Sequence, residues 1–187
     1  MAQNDQALLR RLSEQGLDFV IIGGVCCVFY GVALATFDLD ICCRFDELNL
    51  RKVERAVHDL HSFHRLTAEK LPLELTAELC SRLENLYLQT DLGKLDCLSE
   101  IAGIGGYEEV VRHSQVAKFS YGEFRFLTIS ALIITKEAAG GEFRFLTISA
   151  LIITKEAAGR ERDLLAVRQL RAIQEKTRPS EITDPQS

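Results

Sequence analysis

The chain has 187 residues, of which 47% are hydrophobic and 26% charged, and this globular composition excludes disorder over the whole length. Its 22 Lys and Arg against 27 Asp and Glu leave a net charge of −5, which argues against a protein that coats nucleic acid through a basic face. Six cysteines and a polar, helix-forming start indicate reduced thiols in a cytoplasmic protein rather than disulfides in a secreted one.

Helices and strands are predicted to alternate along the chain. In chain order, we predict a helix over 5–15, a strand over 18–22, a helix over 25–30, a strand over 36–43, helices over 47–61 and 73–81, a hairpin of strands 85–90 and 94–98, a short helix or loop over 107–112, and a last helix over 160–176. The alternation predicts an α/β or α+β fold with a mixed sheet flanked by helices. We expect one domain over 1–176 and a flexible tail over 177–187.

One uncharged stretch is nearly long enough for a membrane helix. Residues 19–37 hold 19 residues without a charge, against roughly 20 apolar residues in a membrane span. Gly23 and Gly24 interrupt this stretch, Asp18 and Asp38 bound it, and no Lys/Arg cluster marks an interface. We therefore expect no membrane span.

An internal repeat is the most specific feature of the sequence. Residues 122–140 and 141–159 both read GEFRFLTISALIITKEAAG, identical at all 19 positions. Repeat architectures usually have about three or more diverged units, so two identical copies indicate a recent tandem duplication or an engineered insertion. Because a close-packed core has no room for a second copy, we expect one Phe-Arg-Phe-Leu strand to pair in the sheet. We expect both Ala-Leu-Ile-Ile segments to be helical, with the extra helix favouring self-association.

Two glycines and two aspartates form the candidate chemical site. Gly23 and Gly24 lie between a predicted buried strand and a helix, where backbone N–H groups can meet phosphate oxygens. Asp38 and Asp40 lie at i and i+2 on the next strand, so both carboxylates project from the same face. Such a pair suits Mg²⁺, which takes one or two carboxylates together with waters and phosphates. The alternative is an ordinary turn followed by a solvated strand face.

Three segments resemble the nucleotidyltransferase superfamily that includes DNA polymerase beta and the minimal nucleotidyltransferases. Residues 20–41, VIIGGVCCVFYGVALATFDLDI, resemble its signature of Gly-Gly or Gly-Ser, a spacer and Asp-x-Asp between apolar residues. Residues 93–103, GKLDCLSEIAG, are similar to the strand that carries a third carboxylate, here Asp96. Residues 154–167, TKEAAGRERDLLAV, resemble a late Lys…Arg…Asp motif. The likeness is greatest to the branch that contains AbiEii-type toxins.

The resemblance implies a mixed sheet of the nucleotidyltransferase type and a Mg²⁺-dependent transfer of NMP from an NTP, with release of pyrophosphate. Asp38 and Asp40 would hold Mg²⁺ against the triphosphate, and Asp96 would complete a second metal site and help deprotonate an acceptor hydroxyl. The other implied site residues are Gly23 and Gly24 around the phosphates, Lys155 as a neutralising cation, and Thr36, Arg160 and Asp163 at the nucleotide.

The sequence departs from the family pattern in two places, and one of them is the duplication, which inserts 19 residues between the third-carboxylate strand and the late motif. Many relatives carry Arg shortly before the Asp pair, within Pro-Arg-x-Thr, whereas this chain has Ala33, Leu34, Ala35 and Thr36. A degenerate relative that binds a nucleotide or a partner without turnover is therefore an alternative, as is an engineered duplication variant of such a scaffold. The acceptor is left open among RNA, a protein hydroxyl and a small molecule.

Overall fold

The computed structural model describes residues 3–31 and 35–138. The second repeat copy, the predicted helix over 160–176 and the tail lie outside these described residues. The helices are Asp5–Glu14 (α1), Gly23–Phe29 (α2), Glu47–Val57 (α3), Ala77–Arg82 (α4), Tyr107–Arg112 (α5) and Ile129–Ala138 (α6). The strands are Phe19–Ile21 (β1), Asp38–Cys43 (β2), Phe63–His64 (β3), Asn85–Thr90 (β4), Gly93–Leu98 (β5), Glu100–Ile101 (β6), Gly105–Gly106 (β7), Ser114–Phe119 (β8) and Gly122–Leu127 (β9).

A seven-stranded mixed sheet organises the described residues, in the order β3-β4-β5-β2-β1-β9-β8. The β2–β5 and β1–β9 pairs are parallel, and the remaining neighbours are antiparallel. Strands β6 and β7 form a separate two-stranded ribbon. The predicted class, a mixed sheet flanked by helices, is confirmed.

The central strands have two chemically different faces because successive side chains point in opposite directions. One face is apolar and fully buried, with 0–1% of each side chain exposed: Leu39, Ile41, Leu86, Leu88, Leu95 and Cys97. The other face carries the polar residues that alternate with them: Asp38, Asp40, Tyr87, Gln89, Lys94 and Asp96. Burial of the first face therefore fixes the direction in which the aspartates project.

Buried hydrogen bonds link helix α2 and the residue that follows it to strand β9. The Tyr30 hydroxyl, just after α2, donates to the Leu127 carbonyl oxygen at 2.8 Å and accepts from the Gln115 side-chain amide at 3.1 Å. The Cys26 thiol donates to the same carbonyl at 3.3 Å. These contacts hold the helix that begins at Gly23 beside the strand of the first repeat copy.

The first repeat copy supplies a strand and a helix of this fold. Its Phe124–Leu127 segment lies in β9, between β1 and β8, and its Ala131–Ile134 segment lies in α6. A strand followed by a helix is what the sequence predicts for each copy. The corresponding prediction for the second copy, 141–159, lies outside the described residues.

Several elements begin or end differently from the predictions. Helix α2 begins at Gly23 rather than residue 25, so the Gly pair occupies its first turn. Helix α4 begins only at Ala77, because the Thr76 side chain accepts from the Leu79 N–H and caps the helix there. Strand β8 was not predicted, since it is an edge strand in which no residue is buried and the exposed positions do not alternate regularly. Within the described part of the chain, no helix has the length and apolar character that crossing a membrane requires.

Candidate functional site

Three carboxylates meet on the polar face of the central strands. Strands β2 and β5 run parallel, with Asp40 directly opposite Asp96 and Asp38 opposite Lys94. One carboxylate oxygen from each of the three aspartates lies within 4.8 Å of the other two. Asp96 is the most enclosed of the three, with 5% of its surface exposed, whereas Asp38 and Asp40 are half-buried.

The strand pleat and the core produce this convergence. Leu39 and Leu95 have no exposed surface and anchor β2 and β5 in the core. The residues on either side of each leucine must then project from the opposite face. Asp38 and Asp40 share a face for this local reason, as predicted. Asp96 joins them through the parallel register of two strands far apart in sequence.

An arginine from the edge of the sheet binds the third carboxylate. The Arg65 Nε donates to Asp96 Oδ1 at 3.1 Å, and Nη2 of the same guanidinium donates to Oδ2. Burial raises the pKa of Asp96, the bidentate hydrogen bonding and positive charge of Arg65 lower it, and the negative charge of Asp38 raises it. The net direction is upward, so the site favours the protonated carboxyl more than water does.

Arg65 and Lys94 are site cations that the sequence analysis missed. Lys94 lies two residues before Asp96 on β5, on the same face, and its charge helps to lower the pKa of Asp96. That i, i+2 spacing is visible in the sequence and could have identified Lys94. Arg65 follows the two-residue strand β3 and has no comparable local signal.

Gly23 lies directly against the Asp40 carboxylate. Its φ is +61°, which is a left-handed conformation that favours glycine. A Cβ placed there would overlap Asp40 Oδ2 and would lie 2.7 Å from Asp40 Cγ. The neighbouring Ile22 N–H donates to the Asp40 carbonyl oxygen at 3.0 Å. The structure therefore gives Gly23 a packing role beside Asp40, in addition to the phosphate contact that remains a prediction for Gly23 and Gly24.

The remaining predicted site residues are Thr36, which precedes the cluster in the chain, and three residues that lie outside the described residues. Thr36 is half-buried in the segment that leads into β2, two residues before Asp38. Lys155, Arg160 and Asp163 all lie outside the described residues. Their roles at the nucleotide stay predictions from the family resemblance.

An open cavity lies beside residues that neighbour Asp38: Phe37, which precedes it, and Lys94, which is opposite it in the β2–β5 register. It has a volume of about 350 Å³ and is lined by Gln3, Phe37, Gln89, Gly93 and Lys94. Phe37 is 71% exposed, and the Gln3 side chain bridges to the backbone of Lys94 through two hydrogen bonds. The polar face of the sheet thus continues from the carboxylates into a space that a small organic group could enter.

The three carboxylates fit a hard divalent cation. Mg²⁺ prefers oxygen ligands and commonly uses one or two protein carboxylates while keeping waters and phosphates. Asp38 and Asp40 offer such a pair from a single strand, and Asp96 supplies a third carboxylate across the β2–β5 pair. The donor set and its spacing are therefore compatible with magnesium.

Comparisons with known proteins give remote structural similarities. No family profile matches the chain, and no curated protein matches it. A candidate nucleotidyltransferase from Thermotoga maritima is 14% identical with a TM-score of 0.47, over 81% of this chain and 91% of that one. The enzyme ANT(2")-Ia, solved with adenylyl-2"-tobramycin, is 16% identical with a TM-score of 0.45, over 90% and 95% of the two chains. JHP933 from Helicobacter pylori is 17% identical with a TM-score of 0.38, over 86% and 69%. At these identities and scores, the similarities do not assign a reaction to the chain.

Proposed function

We propose that the chain is a Mg²⁺-dependent nucleotidyltransferase of the AbiEii-like branch, which transfers NMP from an NTP to an acceptor hydroxyl. One observation carries the proposal: Asp38, Asp40 and Asp96 come from two parallel strands and place carboxylate oxygens within 4.8 Å of one another. An isolated Asp-x-Asp pair is common on a solvated strand. Three carboxylates on one partly buried face repel each other, and a bound cation lowers the cost of that repulsion. Arg65 does so at Asp96, and a metal ion would do so for the cluster as a whole.

The reaction forms one bond and breaks one bond at the α-phosphorus of the NTP. The acceptor oxygen bonds to that phosphorus, the bridging oxygen to the β-phosphate departs with pyrophosphate, and the hydroxyl proton passes to a base. Magnesium at the carboxylates would neutralise charge on the phosphates. Asp96 is the proposed base, because it lies opposite Asp40 across β2 and β5, on the polar face that holds the other two carboxylates.

The other residues act by binding and orienting the nucleotide. Gly23 leaves room for the Asp40 carboxylate beside the start of α2, where Gly24 would present its backbone N–H to phosphate. Thr36, Arg160 and Asp163 are assigned to the nucleotide, and Lys155 to the phosphates, on the family resemblance. The acceptor can be RNA, a protein or a small molecule.

A second candidate function is binding of a nucleotide or a partner without turnover. Two observations favour it: the segment before the Asp pair lacks the family Arg, and Asp96 is held by Arg65 through both carboxylate oxygens. An engineered duplication variant of either type is consistent with the identical copies 122–140 and 141–159.

Metal-dependent release of pyrophosphate from an NTP, measured with and without cell extract as a source of acceptor, separates turnover from binding.

The test of the metal–triphosphate site is thermal melting of wild type and Asp38→Asn, with and without MgATP. A ligand at 100 times its Kd stabilises the native state by about 2.7 kcal/mol, so wild type should melt at a clearly higher temperature with MgATP. Asp38→Asn should lose that gain, and Asp59→Asn, an exposed aspartate paired with Arg11, should keep it. Equal gains in wild type and Asp38→Asn, or no gain in either, would show that the proposed site is wrong.

A further inference from the structure

The contact between Arg65 and Asp96 occupies the carboxylate that the proposed reaction needs. Both Asp96 oxygens accept hydrogen bonds from the same guanidinium. The pair is poorly solvated, with 23% of the Arg65 side chain and 8% of the Asp96 side chain exposed. Paired, bidentate contacts of this kind are among the stronger polar interactions in proteins.

The guanidinium is held in place by more than the carboxylate. Its carbon lies 5.3 Å from the centre of the Tyr87 ring, a cation–π distance. Tyr87 is directly opposite Asp96 in the β4–β5 register, and the backbone N–H of Arg65 donates to the Tyr87 carbonyl oxygen at 3.0 Å. Asp40, Asp96 and Tyr87 thus form a row across three adjacent strands, and Arg65, just after β3, extends this row to the edge of the sheet.

This arrangement conflicts with cation binding and proton transfer at Asp96. A carboxylate that accepts from one guanidinium through both oxygens has fewer lone pairs left for a metal ion or for the proton of an acceptor. The positive charge of Arg65 also repels a divalent cation that approaches the cluster. Asp96 can serve the reaction fully only after Arg65 has moved.

We propose that Arg65 is a displaceable counter-ion of Asp96, and this inference rests on the proposed function. Arg65 neutralises Asp96 while no substrate is bound. When the metal-bearing nucleotide enters, the guanidinium leaves Asp96 and pairs with a phosphate of that substrate, for which its planar fork is suited. Tyr87 keeps the released guanidinium beside the polar face of the sheet. Arg65 thereby supplies, from the β3 edge, a cation that the segment before Asp38 lacks.

The proposal predicts effects of opposite sign on two ligands. Removing one positive charge a few ångströms from a bound divalent ion strengthens its binding by about tenfold, even at the dielectric constant of water. Arg65→Gln should therefore bind Mn²⁺ alone about ten times more tightly than wild type. The same variant should bind MgATP several-fold more weakly, because the phosphate has lost its partner.

The experiment is calorimetric titration of the full chain with MnCl₂ alone and, separately, with ATP in excess Mg²⁺. Arg82→Gln is the matched control, because Arg82 is an exposed arginine paired with Glu78 within α4. Arg82→Gln should behave as wild type with both ligands. Arg65→Lys keeps the charge but loses the bidentate fork, so its Mn²⁺ affinity should stay near wild type and its ATP affinity should fall between the other two.

Unchanged or weaker Mn²⁺ binding by Arg65→Gln overturns the counter-ion role, as does unchanged ATP binding. A purely structural role for Arg65 would weaken both ligands together. If Arg65→Gln does not fold, Tyr87→Leu loosens the same guanidinium and should likewise tighten Mn²⁺ binding and weaken ATP binding. Loss of Mn²⁺ binding in Asp38→Asn with no effect of Arg65→Gln refutes the counter-ion role alone. Mn²⁺ binding that Asp38→Asn leaves intact refutes the metal site and the counter-ion role together.

Discussion

Replacing Gly23 by alanine tests whether the start of α2 is shaped around the Asp40 carboxylate. The added Cβ would overlap Oδ2 and would lie 2.7 Å from Cγ and 2.8 Å from Cβ of Asp40, whereas real contacts essentially never fall below 3.0 Å. Rotation of the Asp40 side chain can move the carboxylate away. It cannot relieve the contact with the Asp40 Cβ, which is fixed to the backbone. Strand β2 or helix α2 must therefore shift by a few tenths of an ångström.

Gly16 offers a matched control for the backbone conformation. Its φ is +65°, against +61° at Gly23, and a Cβ built on it meets no atom within 4 Å. Gly16→Ala should therefore cost only the left-handed conformation, about 1 kcal/mol. Gly23→Ala adds a displaced carboxylate in an unfavourable rotamer and a backbone shift, for a total of about 3 kcal/mol.

Urea unfolding with and without MgATP measures both consequences. Gly23→Ala should unfold at clearly lower urea than Gly16→Ala and should lose the stabilisation by MgATP, because Asp40 no longer faces Asp38 and Asp96 correctly. Gly16→Ala should keep the full stabilisation by MgATP. Equal destabilisation by the two substitutions, together with a normal MgATP effect in Gly23→Ala, would show that the start of α2 is not shaped around the Asp40 carboxylate.

Three further outcomes are expected. Burial raises the pKa of Asp5 above its usual 3.8, and the charge of Asp38 raises it further. The stability that Asp5 contributes is thus present below pH 3.8 and is lost as the pH rises through the pKa of Asp5 in the folded protein. Asp5→Asn lacks this titration, so from pH 3.8 upward its urea midpoint should lose less with rising pH than the urea midpoint of wild type does. Tyr30→Phe should cost about 1–2 kcal/mol in urea unfolding, because it removes the buried donor to the Leu127 carbonyl; a cost near zero would contradict that contact's role. Deleting 141–159 should leave a folded, monomeric protein by sedimentation, whereas the full chain should self-associate.

Much of the local structure could be predicted because it depends on local spacing. The β4–β5 hairpin was predicted from two alternating runs joined by a short turn, and it lies within one residue of its predicted bounds. Each repeat copy was predicted to contain a short strand and then a helix from about Thr-Ile-Ser onward, and the first copy has a strand over Gly122–Leu127 and a helix over Ile129–Ala138. The shared face of Asp38 and Asp40 follows from the pleat of any strand, whichever strands lie beside it.

The family resemblance, rather than the spacing of residues, identified Asp96. Its distance of 56 residues from Asp40 has no period that a strand or helix would impose. Only the placement of β5 next to β2, in parallel and in one particular register, brings the two carboxylates together. Hydrophobic burial on the opposite face decides that register, since a slip of one residue would turn Leu95 outward and Asp96 into the core.

Side-chain periodicity over a few residues was enough to predict the class of fold, most of the strands and helices, and the direction in which the Asp pair projects. Two contacts at the site depend instead on the assembled sheet: Gly23 packs against Asp40, and Arg65 binds Asp96. Both contacts join residues from separate elements, and their geometry follows from the order of strands in the sheet and from close packing. A side chain's chemistry is visible in the sequence, whereas its partner is chosen by the whole fold.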